Sequence, residues 1–133
     1  MRNKAIALLM IVCLSTSALF SQSTIAEVTT LEHDNSKGLY NSIVQVDSDT
    51  YLLAYTGQDN DGYLKTFTVA ADGSSITQVA VLEYDTDSGT YHSLVKVDSD
   101  TYVLAYAGSG NDGFIKTFTV PADGSTITQV AVL

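Results

Sequence analysis

Bases, cysteine, proline, tryptophan and long hydrophobic runs are all scarce in this sequence. Six Lys and Arg stand against fifteen Asp and Glu, a formal charge of −9. Arg2 and Lys4 lie at the very start, so beyond them four lysines (Lys37, Lys65, Lys96 and Lys116) oppose all fifteen acids, a balance of −11. Such a surface repels phosphate backbones and anionic lipid, which argues against nucleic-acid and membrane-surface partners. The one cysteine, Cys13, falls in the apolar N-terminal run, so the rest of the chain has no disulfide staples and no thiolate zinc site. That run, Ala5 to Leu14, is shorter than the roughly 18 residues a spanning helix needs.

A basic start, a short apolar run and then the small, polar stretch STSALFSQSTIA make a secretory signal peptide, expected over residues 1–23. Ala18, Ser23 and Ala26 each offer a small residue at the cut. Met10, Ile11 and Val12 before Cys13 do not make a lipobox. The expected location is therefore secreted, periplasmic or cell envelope, with no membrane insertion once the signal is removed.

What remains is dominated by a repeat. Residues 31–81 align without a gap on residues 82–132, a period of 51 with 35 identical positions, and residues 82–133 form the second unit. The same offset reaches backwards. Ile25, Val28, Leu31, Glu32 and Asp34 fall on Ile76, Val79, Leu82, Glu83 and Asp85, so residues 24–34 are an extra copy of the repeat's last segment.

Inside each repeat, apolar and β-branched runs alternate with turn residues at short intervals, which signals strands. The runs are Asn41 to Val46, Thr50 to Thr56, Tyr63 to Val69 and Ser75 to Glu83. In the second repeat they are His92 to Val97, Thr101 to Ala107, Phe114 to Val120 and Thr126 onward. Asp47-Ser48-Asp49 and Asp98-Ser99-Asp100 suit Asx-type turns. Asp61-Gly62, Asp72-Gly73, Asp112-Gly113 and Asp123-Gly124 are expected to supply the positive φ of tight hairpins. In TYLLAY both faces carry apolar side chains, as expected of a sheet stacked between two neighbours.

The stretches YLLAYTGQDNDGYLKTFTVAADGS and YVLAYAGSGNDGFIKTFTVPADGS resemble β-propeller blades of the Trp-Asp repeat type: an apolar strand, a Gly/Asp turn, a strand in the pattern D-G-x-[LI]-K-x-[aromatic], and a D-G turn. Phe67 and Phe118 stand where that family tends to carry tryptophan, and its Gly-His pair is absent. The resemblance implies an all-β fold of tandem four-stranded antiparallel blades. Propellers close with about four to eight blades. Two blades therefore imply either a homo-oligomeric ring or further repeats in a longer chain, in each case covering two apolar outer faces.

Candidate chemistry is sparse. Asp85 and Asp87, in Asp-Thr-Asp-Ser-Gly, alternate like the start of a calcium loop, and Asp59 and Asp61 offer a second acidic string. Each string loses a carboxylate in the other repeat, and turns alone account for such residues; no other cofactor is expected. His33 aligns with Tyr84 and His92 with Asn41, so no histidine position is shared, and adjacent His92 and Ser93 point to opposite faces of a strand. Tyr40 and Tyr91, at a loop-to-strand junction, with His92 at the start of a strand run and Asn60 and Asn111 in turns, are the candidate binding residues. An aromatic ring there can stack on a sugar while amides read hydroxyls; core packing is the competing role. The functional expectation is a non-catalytic binding or structural module for a glycan or protein surface. The alternative is part of a larger propeller enzyme, such as a glycoside hydrolase, with its catalytic acids in other blades.

Overall fold

The computed structural model describes residues 25–133, so the signal-peptide expectation for residues 1–23 lies outside the described residues. Among the described residues no helix is long and apolar enough to cross a membrane. The fold is all-β. Strands β1 (Leu39–Gln45), β2 (Thr50–Thr56), β3 (Gly62–Val69) and β4 (Ile76–Asp85) form one antiparallel sheet in sequence order. Strands β5 (Thr90–Lys96), β6 (Thr101–Ala107), β7 (Gly113–Thr119) and β8 (Thr128–Val132) form a second of the same order.

β2 and β6 begin and end at the residues the apolar runs predict. β1 and β5 start earlier than expected, because each carries a bulge: the register shifts between Leu39 and Ser42 and between Thr90 and Ser93. Tyr40 and Tyr91 sit inside these bulges at φ 53° and 54°. A bulge that puts its extra residue in the left-handed region usually does so with glycine.

The turns correct part of the sequence reading. Gly73 and Gly124 do adopt positive φ, but Gly62 and Gly113 do not; before them the left-handed positions are Asp59 and Asn60, and Gly110 and Asn111. Gly62 is needed for a close approach, since a Cβ there would lie 2.4 Å from Cζ of Tyr84. Residues 25–38 form no strand, although residues 25–34 repeat the sequence of β4. A strand requires a partner: β4 has β3, and this segment has none among the described residues.

The two sheets stack face to face. One core runs through both, with Val46, Leu52, Ala54 and Leu64 of the first sheet packed on Leu94, Tyr102, Leu104, Tyr106 and Phe118 of the second. Polar groups fix the docking. Thr56 Oγ1 donates to the Gly89 carbonyl, Thr66 Oγ1 to the Gly124 carbonyl at 2.7 Å, and Gly89 N–H to the Asn60 carbonyl at 2.8 Å. No side chain fits at Gly89, where a Cβ would stand 2.4 Å from the Gly62 Cα.

Candidate functional site

Each repeat builds a Tyr-Asp-Lys cluster where one segment crosses to the next sheet. Asp85 Oδ2 accepts from the Tyr106 hydroxyl at 2.6 Å and lies 3.5 Å from Lys116 Nζ, which also donates to the Tyr84 carbonyl at 2.6 Å. Asp85 Oδ1 accepts the N–H groups of Asp87 and Ser88, both at 3.1 Å. In the first repeat Asp34 meets the Tyr55 hydroxyl at 2.9 Å and Lys65 Nζ at 3.9 Å, and accepts the Ser36 and Lys37 N–H groups. Burial alone would raise these carboxyls. The hydrogen bonds outweigh it and hold both below the ordinary carboxylate range, Asp34 furthest. Desolvation, then hydrogen bonding to the same aspartates, pushes Tyr55 and Tyr106 up.

The acidic strings are thereby accounted for one residue at a time. Both oxygens of Asp85 face protein donors, and Asp87 is exposed. Asp59 and Asp61 lie at the β2–β3 turn. Slight burial, a hydrogen bond to Glu83 and the charges of Glu83, Asp59 and Asp85 raise the Asp61 carboxyl. Among the described residues no three His, Cys, Asp or Glu side chains converge as a metal would require.

His92 is a strut between the sheets. Its Nδ1 lies 2.8 Å from the Tyr40 carbonyl and its Nε2 2.5 Å from the Tyr84 hydroxyl. A carbonyl only accepts, so Nδ1 carries the proton, and in the neutral ring Nε2 accepts from Tyr84. Desolvation lowers the His92 pKa and favours that form, only partly opposed by the Tyr40 hydrogen bond. Both ring nitrogens are used, which leaves His92 positioning Tyr40 and Tyr84, with no lone pair for a ligand.

Tyr40 and Tyr91 are brought together. Their ring centroids lie 4.5 Å apart, tilted at 46°, and both side chains are exposed. They stand on β1 and β5, the strands by which the two sheets approach each other. A non-glycine residue at positive φ costs roughly 1–3 kcal/mol, and the fold holds two in register. Asn60 and Asn111 occupy equivalent left-handed turn positions one repeat apart. The Asn60 side chain accepts from Lys37 Nζ and its carbonyl accepts the Gly89 N–H, so Asn60 braces the junction beside the tyrosines. No protein-family model, curated protein or solved structure matches this chain.

Sequence reasoning missed Tyr84, which supports His92, and Asp34 and Asp85 as structural acids. A signal was present: Tyr, Asp and Lys keep the same mutual spacing in Asp34, Tyr55 and Lys65 as in Asp85, Tyr106 and Lys116.

Proposed function

We propose that this chain is an exported, non-catalytic, propeller-like binding module that holds a neutral glycan against the Tyr40–Tyr91 pair. The observation that carries the reading is that pair: two exposed rings kept at positive φ on adjacent sheets, while the hydroxyls of Tyr55, Tyr84 and Tyr106 are engaged inside the protein. Backbone strain maintained on exposed aromatics is typical of ligand sites. Sugar C–H faces stack on such rings, and the neighbouring Asn41 side chain and turn amides supply polar groups. The acidic surface disfavours anionic sugars, hence a neutral one.

A glycan array probed with the purified chain, alongside Tyr91→Gly, tests this. Glycine accepts the backbone of that bulge, so the variant should melt within about 1 kcal/mol of the parent and lose at least about tenfold in affinity. No binding to any neutral glycan at millimolar sugar overturns the reading.

A further inference from the structure

The two sheets stack in one sense, which leaves one face of each without a partner sheet. The second sheet docks through its tyrosine-bearing face, with Leu94, Tyr102, Leu104, Phe118 and Val120 buried against the first. The equivalent face of the first sheet has no sheet over it: Leu53 and Phe67 are buried there at 7% and 5% exposure, but Ile43 is exposed and Tyr51 and Val69 half-buried, around an apolar groove of about 250 Å³ that Leu31 also lines. Conversely, the first sheet receives its neighbour on Val46, Leu52, Ala54 and Leu64, and the equivalents on the second sheet, Val97, Val103, Ala105 and Ile115, face outward. Val46 is 3% exposed and Val97 61%; Leu94 is 8% exposed and Ile43 63%. The residue types match, and only the presence of a neighbour differs.

We infer that the outward face of the second sheet, around Val97 and Ile115, docks into the groove at Ile43 and Leu53 of a second molecule of this chain, head to tail. The junction inside the chain is the template, because the same two faces already meet there once. Moving its polar contacts one repeat along gives the contacts between molecules. Leu94 N–H donates to Ser42 Oγ at 3.1 Å, which becomes Ile43 N–H to Ser93 Oγ. The Gly89–Asn60 bond becomes Gly38 N–H to the Asn111 carbonyl, and Thr66–Gly124 becomes Thr117 Oγ1 to the Gly73 carbonyl. Thr117 is prepared for this: its oxygen already accepts the Ala131 N–H, as Thr66 accepts that of Ala80, leaving its hydrogen to donate.

Three contacts do not carry over in kind, since Thr56 is replaced by Ala107, His92 by Asn41, and Lys96, whose Nζ donates to the Val46 carbonyl at 2.6 Å, by Gln45. The joint between molecules is accordingly weaker than the one within. Val28 lies near Gly73, whose carbonyl would receive Thr117, and must move aside. Docking sets Tyr91 against Tyr40 of the second molecule, extending the tyrosine pair into a row. Such a heterologous contact makes a closed ring if the rotation closes. The inference rests on the propeller-like module reading and names the module's partner.

Light scattering coupled to size exclusion tests it with the parent chain, Ile43→Glu and Ile115→Glu. Both positions are exposed, so the variants should fold. The parent should run as a discrete oligomer. Each variant alone should be a monomer, its association weakened at least about a hundredfold by a charge buried in an apolar joint. An equimolar mixture of the two should give a dimer and nothing larger, because only one intact groove and one intact outer face remain. Ser93→Ala should weaken parent association about fivefold through the lost hydrogen bond. A parent that melts cooperatively yet stays monomeric, or a mixture that never pairs, overturns the docking and leaves the module reading standing. A parent with no cooperative melt overturns the module reading itself.

Discussion

The two repeats carry nearly one sequence, yet identical residues live in different surroundings. Phe118 is fully buried between the sheets, whereas Phe67, its equivalent, is buried at 5% exposure beside an apolar groove that no second sheet covers. His33 stands where the second repeat has Tyr84, and packs edge-on to Tyr55 at 4.7 Å as Tyr84 packs on Tyr106 at 5.0 Å. The Tyr84 hydroxyl is bonded to His92, while Nδ1 of His33 is buried without a partner. Position in the stack thus determines what an unchanged side chain contributes.

The sharpest way to break that comparison is Phe118→Ala beside Phe67→Ala. Truncation of Phe118 in the shared core should cost about 3–5 kcal/mol, and truncation of Phe67, buried but with no second sheet packed over it, should fall toward the lower end of that range. Urea melts of both variants decide it; equal losses would mean that the groove is as enclosed as the core.

His92→Asn gives the second repeat the residue of the first and should cost about 1–3 kcal/mol through the lost bonds to Tyr40 and Tyr84. It should also alter the pH profile. Burial lowers the pKa of both His33 and His92, so below about 6.5 the unfolded chain takes up protons that the folded chain resists. Stability is full above that value and declines as pH falls, with a further loss below about 3.9 as Asp34 and Asp85, whose pKa values are depressed, protonate. Thermal melts from pH 4 to 8 should show a shallower upper decline in His92→Asn.

The smallest expected effect runs the other way. The hydroxyl of Tyr102 is buried without a hydrogen-bond partner, while its equivalent Tyr51 reaches the groove. Tyr102→Phe should stabilise by about 1 kcal/mol and Tyr51→Phe should leave the melting temperature unchanged.

Much of the fold was legible because strand periodicity and duplication reinforce each other. β2 and β6 emerge to the residue from TYLLAYT and TYVLAYA, and both faces of β2 are indeed buried. The bulges were not legible, since no propensity assigns positive φ to a tyrosine; they follow from the register demanded by the neighbouring strand. A D-G pair reads as a hairpin tip, which sets the left-handed turn positions two or three residues too late; Gly62 serves a close approach to Tyr84 instead, and a Cβ at Gly113 would meet nothing within 4 Å. At the candidate site, a loop-to-strand junction singles out Tyr40 and Tyr91, and the structure places them together. The bonds of His92 across the sheets, invisible in a linear reading, give it a bracing role. Residues 24–34 read as a strand by likeness to β4, but strand formation depends on a partner that likeness does not supply.

β4 has a mechanical consequence. Most of its length is zipped to β3, yet Tyr84 and Asp85 at its end are fastened into the second sheet by Lys116 and Tyr106. Tension applied along the chain would reach the second sheet through this fastening before it could open the face between the sheets. Genetic duplication and mechanical load therefore divide this protein at different places, and a cut between Val81 and Leu82, at the sequence repeat boundary, would sever the tether.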